Sequence, residues 1–69
     1  MKVSARNVLA AKVKSIEPGA VDSEVVMELA PGIDVVAIIT KHSVEQLRLA
    51  PGSKVYAVIK ASNVMIGID

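Results

Sequence analysis

The sequence has no cysteine, no phenylalanine and no tryptophan, and Tyr56 is its single aromatic residue. Without cysteine there are no disulfides. One histidine, His42, without any cysteine excludes the common structural zinc sites. The scarcity of aromatics removes the platforms on which single-stranded nucleic acids stack. Neither sign of charge dominates: eight Lys and Arg face seven Asp and Glu, for a formal net charge of +1. A surface for duplex DNA or RNA needs clustered basic residues, so no nucleic-acid partner is expected. No apolar run reaches membrane-spanning length, and Met1–Asn7 (MKVSARN) lacks the apolar stretch of a secretory leader. The expectation is a cytoplasmic protein without a membrane partner.

What is present is aliphatic. Hydrophobic residues make up 52% of 69 residues, so a single domain over 1–69 is expected, with a core of Val, Ile, Leu, Ala and Met. A domain this small buries a limited share of its surface and usually needs a staple. With disulfides and zinc excluded, the staple left is a homo-oligomer whose core continues across subunit contacts. Val8–Glu17 alternates with a period of two, Leu9, Ala11 and Val13 against Ala10, Lys12 and Lys14, and reads as a strand. Pro18-Gly19 marks a turn. A second strand follows over Ala20–Leu29, with Val21, Ser23, Val25, Met27 and Leu29 on one face. Pro31-Gly32 turns the chain into Ile33–Ile39, apolar almost throughout, as in a strand covered on both sides. Thr40 can cap a short helix over Lys41–Leu49, with Val44 and Leu47 on one face, and Pro51-Gly52 stops it. Ser53–Ala61 is a fourth strand, Ser62-Asn63 a kink and Val64–Ile68 a last short strand. Five strands with one helix between the third and fourth is the order of a small, mostly β, OB-like barrel.

No catalytic constellation emerges. His42 and Ser43 are adjacent on a helix and point in different directions, so they form no nucleophile–base pair. No phosphate-binding glycine motif is present. Glu24 and Glu28 read as a solvated strand face. An enzyme is the least expected class. What stands out is small polar and basic residues near strand ends. Ser4 and Arg6 are two apart and point the same way in an extended segment, as do Lys60 and Ser62. Thr40 and Ser43 open the helix, where free N–H groups favour an anion. A small oxyanion needs such donors, limited positive charge and no carboxylate nearby. Taken singly, each pair also fits a solvated terminus, a helix cap or a soluble strand end.

The segments SARN at 4–7, VDSEVVMELAPG, AIITKHSVEQL and AVIKASNVMIG, in this order, resemble the Mop domain of the molbindins, related to the TOBE domains of molybdate transport ATPases. The resemblance covers Ser4 to Gly67, about one domain, as in free-standing molbindins. It implies an OB-like barrel in a homohexamer, a trimer of dimers, that binds molybdate or tungstate as the intact tetrahedral dianion at subunit interfaces and stores or buffers it. Carried over by residue, the oxyanion ligands are Ser4, Ala5, Arg6, Thr40, Ser43, Lys60, Ala61 and Ser62, some from a neighbouring subunit, with Ala5 and Ala61 acting through backbone N–H. A second class of interface site falls near Gly19, Ala20 and Val21. Two rival readings stay open: an OB-type nucleic-acid module and an oligomerisation module without a ligand.

Overall fold

The computed structural model describes residues 1–69. Four strands follow one another: β1 (Asn7–Pro18), β2 (Asp22–Ala30), β3 (Ile33–Thr40) and, after helix α1 (Lys41–Gln46), β4 (Lys54–Ile59). They form one antiparallel sheet in the order β3-β2-β1-β4, curled into a half-barrel. The turns fall at the three Pro-Gly pairs. At the last of them Gly52 takes φ 94°, and the Ser53 N–H closes the turn on Ala50 O at 2.9 Å. The Gly52 and Val13 backbones also pair, Gly52 N to Val13 O at 2.8 Å, docking this turn on β1.

The strict alternation expected in β1 breaks once. The register passes from Val13 opposite Met27 to Ser15 opposite Val26, leaving Lys14 as the extra residue of a bulge. The inward set is therefore Ala11, Val13 and then Ile16, with the phase shifted after Val13. Lys14 Nζ reaches across β2 to donate to Asp34 Oδ2 at 2.9 Å. That hydrogen bond, and then the carboxylate's charge, raises the Lys14 pKa above the ordinary lysine range. The pair is exposed, so it contributes little to stability.

The core is thin. Val13, Val25, Met27 and Ala57 are buried, with Ile16, Val35, Ala37, Ile39, Val44 and Val55 packed around them. Ser23 is buried beside them, and its Oγ makes no hydrogen bond. The inward face expected for β2 holds at Ser23, Val25 and Met27, while Val21 lies outside the strand and is exposed. β4 alternates as expected, Val55, Ala57 and Ile59 inward.

Three expectations need correction. The helix ends at Gln46, because Arg48 takes φ 53° and the Arg48 and Leu49 N–H groups close back on Glu45 and Val44 carbonyls. Leu47 is largely exposed at the edge of an apolar groove and, unlike Val44, is not packed on the core. β3 is not covered on both sides: Val35, Ala37 and Ile39 face the core, but Val36 and Ile38 are 56% and 63% exposed. The fifth strand does not form. A 3-10 turn over Ala61–Asn63, held by Asn63 N to Lys60 O, leads the chain off the sheet, and residues 64–69 pair with no strand. The barrel is thus open, with β3 and β4 as its edges.

Candidate oxyanion site

Antiparallel pairing of β1 with β4 runs from Asn7 opposite Ile59 to Lys12 opposite Lys54. This register brings the segment before β1 beside the segment after β4. Asn7 pins the junction, its Nδ2 donating to Ile59 O at 3.3 Å. One shallow depression results, lined by Ser4, Ala5, Arg6, Val58, Lys60, Ala61 and Ser62. Six of the eight residues expected to hold an oxyanion therefore share one surface, although 54 positions separate Arg6 from Lys60 in the chain. Val58 is the addition that sequence reading missed. Its exposed position on β4, two before Lys60, is the signal that could have found it.

The chemistry of the depression suits an anion. It has two cations, Arg6 and Lys60, two hydroxyls, Ser4 and Ser62, and no carboxylate. The N–H groups of Ala5 and Ala61 make no hydrogen bond to another backbone group. Charge-assisted hydrogen bonds from such groups are shorter and about twice as strong as neutral ones. The depression is open, and its residues other than Ala5 are exposed. As it stands it forms one wall of a site.

Thr40 and Ser43 are elsewhere. Thr40 pairs with Asp22 at the far end of the sheet, where Pro18 pairs with Ser23. The twelve residues of β1 separate that end from Asn7, a path of about 36 Å at the usual strand rise. Neither Thr40 nor Ser43 lines the depression that holds Arg6 and Lys60. Thr40 Oγ1 accepts from Ser43 N at 3.0 Å, the helix cap expected from sequence, and donates to Ser43 Oγ at 2.7 Å. The Ser43 hydroxyl keeps its own proton unspent, on a half-buried residue.

Gly19, Ala20 and Val21 lie at the same end as Thr40, joined to α1 by Lys41 N donating to Val21 O at 2.8 Å. Gly19 is required there by space: a Cβ would stand 2.7 Å from the Asp22 carbonyl oxygen. The depression at this turn carries Glu17, Asp22 and Glu24 and no cation. Its own field disfavours an anion, in contrast with the depression at the other end of β1.

A half-barrel of this topology with a donor-lined wall defines a small binding domain, and comparison with known proteins identifies its kind. The TOBE domain model matches residues 3–66, and the chain belongs to the TOBE domain family. Over 66 residues it is 46% identical to molybdenum-pterin-binding protein 3 of Clostridium pasteurianum, covering 96% of this chain and 97% of that protein. It superposes on a molybdate binding protein from Sporomusa ovata with a TM-score of 0.90 at 44% identity, covering 99% of this chain and 100% of that one. On ModG, a cytoplasmic molybdate-binding protein solved with molybdate bound, the TM-score is 0.93 at 46% identity. There the match covers all of this chain and 49% of ModG. No helix is long and apolar enough to cross a membrane.

Proposed function

We propose that this chain binds molybdate, or tungstate, as a tetrahedral dianion in the depression lined by Ser4–Arg6 and Lys60–Ser62, with a second copy of the chain closing the site. The reading makes the protein an intracellular store or buffer for the oxyanion and assigns it no catalysis. The observation that carries it is the β1–β4 register, which gathers two cations, two hydroxyls and two unspent N–H groups on one surface without a carboxylate. The charges of Arg6 and Lys60 offset the dianion, and the neutral donors complete its shell. Thr40 and Ser43, which do not line this depression in one chain, come from the neighbouring copy in a homo-oligomer, a hexamer by family likeness. Burial between copies then links anion binding to assembly by mass action. A second anion position at Gly19–Val21 requires cations from another chain to offset Glu17, Asp22 and Glu24.

The names of the relatives raise a second ligand, molybdenum carried on a pterin. The depression has no aromatic ring on which a pterin would stack, and Tyr56 is not among its lining residues. This favours the bare oxyanion. Titration calorimetry with molybdate tests the assignment. Arg6→Ala and Lys60→Ala each weaken binding on the order of tenfold to a hundredfold, the worth of one hydrogen bond to a charged group, while the circular dichroism of the β-sheet is retained. Unchanged molybdate affinity in both variants contradicts the site.

A further inference from the structure

Val58 is the exception in the anion depression. Ser4 and Ser62 bring hydroxyls, Arg6 and Lys60 bring cations, and Ala5 and Ala61 bring free N–H groups, whereas the Val58 side chain brings neither donor nor acceptor. The backbone explains how it comes to be there. Lys60, still extended at φ −61° and ψ 130°, follows Val58 by two residues and so falls on the same side of β4. Val58 stands directly opposite Val8 on β1, and the Cβ atoms of such facing residues lie about 5 Å apart. The two valines are 45% and 36% exposed. A strip of methyl groups therefore runs up to the donors, and its last member lines the depression itself.

An anion that enters the depression exchanges its water for protein groups. Where a donor replaces a water, the exchange is nearly even. Where a methyl group replaces one, the lost hydrogen bond is not made good. That loss grows with the strength of the ion's hydration. Sulfate and molybdate carry the same charge in the same tetrahedral shape, but the metal–oxygen bonds of molybdate are longer. Its charge is spread over a larger surface, so stripping water from it costs less. A methyl wall thus penalises sulfate more than molybdate. Valine suits this task, because its branched side chain is restricted about χ1 and its methyl groups stay where the strand puts them.

We infer that Val58 is a specificity-determining residue of the depression: its methyl groups favour molybdate over the smaller, more strongly hydrated sulfate, while Arg6 and Lys60 hold either dianion by charge. The donors set affinity for tetrahedral dianions as a class. The one apolar side chain sorts within the class by penalising the competitor, which is how a difference of affinities is commonly built. The inference rests on the proposed oxyanion site, and the molybdate affinity of the natural protein reports on that site separately.

Equilibrium dialysis against molybdate, displaced by increasing sulfate, gives both affinities for the natural sequence, Val58→Thr and Val58→Ala. Threonine keeps the size and branching of valine and favours strands, so the apolar groove that Val58 also borders is disturbed least. Circular dichroism checks that each variant keeps its sheet. In Val58→Thr a hydroxyl replaces one methyl group, and the preference for molybdate over sulfate is expected to fall about tenfold, the worth of one hydrogen bond to a charged group. Val58→Ala leaves room for water beside the anion and lowers the preference as well. A preference unchanged in either folded variant overturns the inference; where Val58→Ala alone loses it, size and not hydration sorts the two anions. A natural protein that binds both anions equally overturns it too. A natural protein that holds neither anion overturns the site, and the inference with it.

Discussion

Thr40 caps helix α1, and two substitutions test that cap. Its Oγ1 caps the first turn of α1 by accepting from Ser43 N, a bond whose loss costs about 1 kcal/mol. For a domain of this size that is a fall in melting temperature of roughly 4–8 °C, read at fixed protein concentration because assembly contributes to the midpoint. Thr40→Ala is expected to show that fall, and Thr40→Ser to show little, since the serine hydroxyl caps equally well. The cap was legible in the sequence because an N-cap is a local device: a hydroxyl before a helical turn needs no knowledge of the rest of the fold. Arg6 and Lys60 are the opposite case. Their residue types and flanking serines were readable as anion-friendly, but what unites them is the pairing of Asn7 with Ile59, a contact between the two ends of the chain. Periodicity gives no register for strands so far apart in sequence. It was the resemblance of SARN and VIKAS to the Mop domain that put them in one site.

At the scale of elements, the Pro-Gly pairs located every turn, and alternation located the buried faces of β2 and β4. Alternation failed where the backbone departs from regularity. The bulge at Lys14 carries no sequence mark beyond an ordinary lysine, yet it moves the inward face from Val13 to Ile16. Helix α1 was read too long because its stop is made by Arg48, a residue with no special preference for the left-handed region it occupies. That strain gives a prediction. Arg48→Gly removes the steric cost of φ 53°, worth roughly 1–2 kcal/mol, against a backbone-entropy cost of roughly 0.5–1 kcal/mol. The variant is expected to be more stable than the natural protein by about 0.5 kcal/mol, measured by urea unfolding at fixed protein concentration. A less stable variant would mean that Arg48 makes a contact, through its side chain, that outweighs the strain.

At the scale of the whole molecule, one copy leaves several features open. A single copy buries five of 69 residues, leaves one face of β3 bare, leaves its barrel open and divides its expected ligands between two ends about 36 Å apart along β1. Val64–Ile68 was read as a strand because its alternation is that of a strand. It stands unpaired because the 3-10 turn at Ala61–Asn63 leads the chain off the sheet. The proposed homo-oligomer is what composition led us to expect: a short chain rich in aliphatic residues, without disulfides or zinc, usually needs a staple.

The claim that joins these scales is that the chain holds a tetrahedral oxyanion selectively. Equilibrium dialysis of the purified protein against molybdate, with sulfate in large excess and the retained metal counted by elemental mass spectrometry, tests it most directly. Sulfate matches molybdate in charge and shape and differs in size, so it competes for any site defined by charge alone. The account predicts molybdate retained in fixed proportion to the chain and undiminished by sulfate. Retention no greater than in a protein-free control, or fully displaced by sulfate, would contradict it.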